Sequence, residues 1–360
     1  MLRSIAILCA LTALSGLDCA KPPPPPAEPA LDPSHFSGER AWKHLERLVA
    51  FGPRVSGTPE AEAARRYIRA ELEAIGLEPK LLSFAVEVRL ADGGTGKVDF
   101  ENLLAVIPGE SDDIVVLAAP FDSRYFEGFS HVGANNGASG AALLLEMARV
   151  LSVDPLPYTV WLAFLDGDAA HSEDTKQDER FLGSRGLVAE IEEAAALSRL
   201  RAMVYFNQVA DRDLAIANDL RSERVFRNAF QHAARELGHA SVFSPDRPFS
   251  RPPGGHEAFI SAGFRRVMSV IDDAFGGDEA PGVYWQTAED TLAQCDPESL
   301  SIVGTVSNAA LREVVGLLRK VDRFSRRPAP APTAEPAEAA KPVEIPESPG
   351  AREGEVVPSP

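Results

Sequence analysis

Ala118-Ala119-Pro120-Phe121-Asp122-Ser123-Arg124-Tyr125-Phe126, followed closely by His131-Val132-Gly133-Ala134-Asn135-Asn136-Gly137-Ala138-Ser139-Gly140, is the stretch that decides how this chain folds. It is entered by an apolar run at 114–119, which reads as a buried strand, and left by a run at 137–151 whose apolar residues have helical spacing. In open α/β sheets the functional groups gather beyond the carboxyl ends of the strands, where loops run into helix N-termini. Residues 120–136 are therefore expected at a functional rim.

Working outward, the same alternation recurs. Helices are predicted at 38–51, at 59–75 behind a Thr58 cap with Pro59 in the first turn, and at 183–197, 222–237, 256–262 and 297–319. Strands are predicted at 81–88, 102–107, 158–165, 202–206 and 266–271. Strands alternating with helices imply a three-layer α/β/α architecture with a mostly parallel, mixed central sheet. Order along the chain then brings 166–171, 207–210 and 272–287 to the same rim as 120–136.

Several phrases in this order resemble the zinc-dependent M28 peptidases, and among them the glutaminyl cyclase branch. They are Phe51-Gly52-Pro53-Arg54-Val55-Ser56-Gly57-Thr58-Pro59, Phe121-Asp122-Ser123-Arg124-Tyr125-Phe126, Leu143-Leu144-Leu145-Glu146-Met147-Ala148-Arg149, Phe164-Leu165-Asp166-Gly167-Asp168, Leu182-Gly183-Ser184-Arg185-Gly186-Leu187 and Trp285-Gln286-Thr287-Ala288-Glu289-Asp290-Thr291-Leu292. Each is weak alone; order and spacing together carry the resemblance, which covers most of residues 36–322. It implies the zinc-exopeptidase fold and a metal-assisted peptide chemistry.

The resemblance also implies which positions would do that chemistry. The metal ligands of the cyclases fall on Asn136, Ala169 and Gln286, and the His of the first metal loop falls on Pro120. Zinc takes imidazole, thiolate or carboxylate donors at about 2.0–2.2 Å, whereas neutral amides bind it weakly and alanine not at all. The general acid/base Glu falls on Asp168, which keeps a carboxylate one methylene shorter. Two further acids fall on Asn207 and Gly255. No metal is expected, and Asp168 is left as the retained carboxylate; zinc would enter only if a noncanonical site replaced the family one.

Other residues near the rim have more than one reading. Asp122, His131 and His171 could form a rearranged site with Asp168, although loop histidines are more often solvated than ligating. Trp285 either stacks on a bound ligand or packs. Asp166 is expected to order the loop after its strand, and Cys295 to be a packing residue.

The ends carry different signals. Residues 1–18, with an apolar run at 5–14, have the layout of a secretory signal. Ser15-Gly16-Leu17-Asp18-Cys19 resembles a degenerate lipobox, with Cys19 the lipidation candidate; ordinary cleavage and a retained anchor are the alternatives. Residues 19–35 form a Pro-rich linker, 36–324 the folded domain, and 325–360 a Pro/Ala/Glu-rich tail expected to be disordered. With 45% hydrophobic residues the chain can bury a large core, and its net charge of −17 excludes a nucleic-acid partner of the basic-face kind.

Three functions are compatible with this sequence. One is an exported, envelope-anchored member without catalysis that binds a peptide or protein. The second is an active cyclotransferase or aminopeptidase with a noncanonical metal site. The third is a structural envelope protein.

Overall fold

Side-chain hydroxyls open the first two helices. Ser37 Oγ accepts from the Arg40 N–H at 3.4 Å at the start of α1 (Gly38–Val49). Thr58 Oγ1 accepts from the Ala61 N–H at 3.3 Å at the start of α2 (Pro59–Ala74). Each cap satisfies an N–H that the helix itself leaves unbonded.

The computed structural model describes residues 35–89, 94–171 and 180–325. The signal at 1–18, Cys19, the Pro-rich stretch up to residue 34 and the tail from 326 lie outside the described residues. The chain divides into two units, Met1–Gly316 and Leu317–Pro360. The first contains the sheet and the site; the described part of the second is the last turns of the closing helix.

The remaining elements are β1 (Lys80–Arg89), β2 (Thr95–Ile107), β3 (Ser111–Pro120), α3 (Ser139–Val153), β4 (Tyr158–Leu165), α4 (Leu182–Glu193), β5 (Leu200–Asn207), β6 (Asn218–Asp219), α5 (Arg224–Glu236), β7 (Phe249–Ser250), α6 (His256–Ser261), β8 (Val267–Ile271) and α7 (Pro297–Ser325). Six strands form one mixed sheet in the order β1-β2-β4-β3-β5-β8. Neighbours among β4, β3, β5 and β8 run parallel; β1 and β2 add an antiparallel hairpin at one edge. One face carries Val116, Ala118, Met203 and Tyr205 packed against Leu187 and Ile191 of α4 and Phe259 of α6. On the other face Gly140 of α3 lies against Ala119 and the Phe206 carbonyl, where a Cβ would collide.

The parallel strands end together, with Pro120 opposite Leu165 and Asn207 opposite Ile271. From β3 the chain crosses to β4 on one side, and from β5 it crosses to β8 on the other. The crevice beyond β3 and β5 is thus a topological switch point, the usual place for a ligand in such sheets.

The expected α/β fold is the observed one, with differences at the element ends. β2 begins at Thr95 rather than 102, because Phe84, Val86, Val88, Val98 and Phe100 pack together and hold the hairpin beyond the main core. α3 begins at Ser139 rather than 137, because Asn136 (φ −89, ψ 96) and Gly137 (φ 111) depart from helical angles. The two-residue strands β6 and β7 are too short to leave a pattern in the sequence.

Candidate functional site

The loop between β3 and α3 is held from below by one arginine. Arg54, at 0% exposure, donates from Nε to the Phe121 carbonyl (2.8 Å), from Nη1 to those of Gly52 (3.0 Å), Val132 (2.8 Å) and Leu48 (3.3 Å), and from Nη2 to that of Gly133 (3.1 Å). Three of these carbonyls belong to the two ends of the loop, and the other two tie it to the end of α1 and the turn that follows. Burial lowers the Arg54 pKa to about 10, against the raising effect of Asp122 and Asp290, so it stays charged at neutral pH.

Asp290, at the end of the closing phrase, completes this floor. Its Oδ1 accepts from the Asn135 N–H (2.7 Å) and its Oδ2 from the Asn136 N–H (3.1 Å), while its carbonyl accepts from Ala134 N–H (3.2 Å). Gly137 is required here: its φ of 111 lies in glycine's territory, and a Cβ would strike the Asp122 carbonyl. Its N–H donates to Asn207 Oδ1 at 3.0 Å.

Above this floor lies a cavity of about 210 Å³. All four parallel strands contribute to it through the loops at their carboxyl ends, as chain order predicts. Asn136, Asp168, Ala169, Asn207, Trp285 and Gln286 all line it. Gly255 does not; it sits behind Asp168, and a Cβ there would lie 2.6 Å from Asp168 Oδ2 and press on Ser184 Oγ. A carboxylate at position 255 therefore has no room in this packing.

The rim groups are engaged with one another. Asn207 Nδ2 donates to Asn136 Oδ1 at 3.0 Å, and Arg124 Nη1 donates to Gln286 Oε1 at 2.8 Å. Ala169 offers its backbone, its N–H donating to Asp122 Oδ2 at 2.8 Å. Trp285 is half-buried on the wall. Among the described residues, no three His, Cys, Asp or Glu side chains are grouped so as to hold a metal ion.

Two acids form the cavity's base. Asp168 accepts from the Ser184 N–H (2.7 Å) and hydroxyl (2.7 Å) and from the Tyr205 hydroxyl (3.2 Å). Burial pushes its pKa up to about 6 despite these donors. Burial, then the charges of Asp166 and Asp168, hold Asp122 well above the ordinary carboxylate range, and its Oδ1 has no hydrogen-bond partner.

The histidines do not join these acids. His131 is buried, its Nδ1 bonded to the Thr287 carbonyl at 2.9 Å and its ring edge-on to Phe126. Burial lowers its pKa to about 4, so it packs as a neutral ring. His171 packs edge-on against Phe100, and neither histidine lines the cavity. Asp166 accepts from Ser56 Oγ (2.7 Å) and the Glu101 N–H (3.0 Å), tying the loop after β4 to β2. Cys295 is buried, and burial raises its thiol pKa, so it behaves as a packing residue.

Strain collects around the same cavity. Four non-glycine residues among those described have φ in the left-handed region, and three of them, Phe181 (57°), Gln208 (53°) and Gln286 (57°), line it. Such conformations cost on the order of 1–3 kcal/mol each and cluster at functional sites. The family phrases give no sign of this, nor of Arg180 and Arg251 on the cavity wall; Arg124, also on the wall, lies in the first loop phrase, which assigns it no role. Ser184 and Tyr205 were within reach of the sequence, since one lies in a quoted phrase and the other in a predicted strand.

Residues 102–311 match the family model described as peptidase family M28. The chain belongs to that family. Among characterised relatives, the glutaminyl-peptide cyclotransferase of Drosophila melanogaster is 28% identical over 168 residues, 45% of this chain and 46% of that protein. This chain thus matches about half the length of the fly protein. The glutaminyl-peptide cyclotransferase-like protein of Mus musculus is 26% identical over 311 residues, 78% of this chain and 76% of that one. Among solved structures, an Acidobacteriales bacterium glutaminyl cyclase superposes with a TM-score of 0.70 at 27% identity, covering 83% of this chain and 100% of the other. The M28 domain here is glutaminyl cyclase-like, with the zinc-exopeptidase type of fold.

Proposed function

We propose that this M28 domain is a pseudoenzyme: it keeps the family's pocket without the family's zinc and uses it to bind a peptide or protein ligand. The observation that carries this reading is how the three ligand-matched positions are used. Asn136 Oδ1 already accepts from Asn207, Gln286 Oε1 already accepts from Arg124, and Ala169 has only a methyl. Two engaged amides and a methyl do not fit zinc, which takes imidazole, thiolate or carboxylate donors. No catalytic step is routed through a metal here. In this reading the chain is exported and held at the cell envelope by a lipid on Cys19, which mass spectrometry of the mature N-terminus would detect.

A family pocket that had lost ligand binding as well as catalysis would be free to relax. The left-handed conformations at Phe181, Gln208 and Gln286 support a pocket that meets a ligand. A second reading, an active cyclotransferase or aminopeptidase with a noncanonical metal site, draws on two features. Asp168 titrates near 6, a useful value for a general acid or base, and Asp122 Oδ1 is unpartnered beside it.

Elemental analysis of the purified protein, together with the variant Asn136→Asp/Ala169→Glu/Gln286→His, separates the two. The wild type is expected to hold no stoichiometric zinc and to turn over neither N-terminal glutamine nor aminopeptidase substrates. The triple variant is expected to take up zinc and to gain about 2.7 kcal/mol of stability at a free concentration of roughly 100 Kd. Histidine tolerates the left-handed φ at position 286 better than most residues. Zinc-dependent turnover by the wild type, abolished by Asp168→Ala, would establish the second reading.

A further inference from the structure

The two edges of the sheet are finished differently. At β8 the edge is occupied: the Ala217 N–H donates to the Ile271 carbonyl and the Glu223 N–H to that of Val267, each at 2.8 Å. β1 stands at the other end of the strand order and, among the described residues, pairs with β2 alone. An open edge is a row of unpaired N–H and C=O groups and a template for another strand. β1 is 10 residues long, keeps an unbroken register with β2 and contains no proline, so its outer side can carry a continuous ladder.

Its side chains alternate. Leu82, Phe84, Val86 and Val88 share the apolar face, where Phe84 stacks on Phe100 with 5.6 Å between ring centroids. α4 lies over this face, since a Cβ at Gly186 would come 2.6 Å from the Phe84 ring. Val88 is buried, yet Leu82, Phe84 and Val86 are only partly covered. Leu81, Ser83, Ala85 and Glu87 alternate with them and are exposed. One more strand, with apolar residues on the same side, would complete both the ladder and the apolar face.

The Pro-rich ends of this chain are poor partners for such an edge, because proline lacks the N–H that a ladder needs. A second copy of β1 fits. In an antiparallel ladder alternate residues direct their backbone groups to the same side. Two copies related by a two-fold axis can therefore pair only where a residue faces itself. An axis at Ala85 pairs 81–89 with the same segment of the second copy. Phe84 then faces Val86 and Leu82 faces Val88 on the apolar face, while Ser83 faces Glu87 and Leu81 faces Arg89 on the other. No charged side chain in that segment faces its like. An axis at Glu87 would set two carboxylates opposite each other, and one at Phe84 would bring Lys80 onto Val88.

We infer that β1 is a self-association surface: two copies of this chain pair antiparallel about Ala85 and continue one sheet across both. The cavity takes no residue from β1 or β2, so this inference stands apart from the reading of the pocket.

Light scattering and sedimentation of the purified full chain test it. The wild type is expected to be dimeric at high micromolar concentration. Ala85→Lys sets two like charges opposite each other at an exposed position and should weaken association at least ten-fold with an unchanged melting temperature. Mixing it with Ala85→Asp should restore dimers. A short bis-maleimide reads the register: the thiols of Ala85→Cys stand about 5 Å apart across the axis, whereas those of Leu81→Cys stand on the order of 27 Å apart. Cross-linking of Ala85→Cys above the wild-type background, and not of Leu81→Cys, is the expected result. A monomeric wild type overturns the inference. So does a dimer that Ala85→Lys leaves intact, or equal cross-linking of the two cysteine variants. If the full chain is monomeric but dimerises once residues 326–360 are removed, the tail occupies the edge instead, and the inference likewise falls.

Discussion

Beneath the cavity, charged side chains are locked to backbone, whereas at its rim side chains are locked to one another. Arg54 gives its donors to five carbonyls of the segments around the β3–α3 loop, and Asp290 receives three N–H groups of that loop's end through its carboxylate and carbonyl. At the rim, Asn136 meets Asn207 and Gln286 meets Arg124, side chain to side chain. The first arrangement shapes the loops whatever stands in the pocket. The second depends on which residues line the pocket and leaves the backbone path unchanged. The contrast separates what keeps an M28 pocket folded from what decides its chemistry, and it explains how one can change while the other persists.

Breaking the floor should therefore have the largest effect. Arg54→Leu removes the donors of five carbonyls, three of the bonds buried, and leaves Asp122 and Asp290 without their neighbouring positive charge. The expected cost is about 3–5 kcal/mol, the range for breaking a buried charged network, read as a fall in urea midpoint. Arg54→Lys keeps the charge but not the planar fork, and should recover only part of the loss. A change below 1 kcal/mol in Arg54→Leu would mean that the loop is held by something other than these bonds.

At the boundary between floor and rim, the effect depends on pH. Asp168 has a folded pKa of about 6, above the 3.8 of an unperturbed Asp. The native state thus holds the proton more tightly than the unfolded chain. Its stabilising contribution is fully present below pH 3.8 and is lost as pH rises through 6. At 1.36 kcal/mol per unit the loss approaches about 3 kcal/mol. Asp168→Asn has no proton to lose, so its stability relative to wild type should improve by about that amount between pH 4 and pH 8. Denaturation curves at several pH values would show it, and parallel pH dependence in the two proteins would place the Asp168 titration elsewhere.

How much of this could be read from the sequence follows the same division. Apolar runs such as those of β3, β4 and β5 state their burial directly, so the sheet, its parallel centre and the common rim were all readable. Asn136, Asp168, Ala169, Asn207 and Gln286 were found through phrases whose order is fixed by the fold, and all five line the cavity. Gly255 was read as a missing carboxylate, yet the space for one is filled by Asp168 and Ser184, a packing fact invisible without coordinates. Arg180 and Arg251 escaped because a lone Arg in a loop has no periodicity, and Arg124, although inside a family phrase, carries no role there. The left-handed residues escaped for a related reason: glutamine and phenylalanine do not advertise a positive φ as glycine does.

The smallest stability effect should come from the rim, where it is most informative. Gln286→Gly removes the side chain that holds Arg124 and also relieves the left-handed backbone at φ 57. Relief of strain, roughly 1 kcal/mol, is offset by the added entropy of glycine in the unfolded chain, roughly 0.4–1 kcal/mol. The lost hydrogen bond lies at a half-exposed position and contributes little to folding. Net stability should therefore stay within about 1 kcal/mol of wild type, far from the Arg54→Leu result. Binding of a peptide in the pocket should nonetheless weaken several-fold, because Gln286 lines the cavity and Arg124 loses one of its partners there. Gln286→Asn, which tolerates the same backbone but has a shorter reach to Arg124, separates the two contributions: it should keep the strain low and still bind poorly. If instead both variants bind as wild type does, Arg124 needs no support from Gln286, and the rim pair is a by-product of packing rather than part of the ligand site.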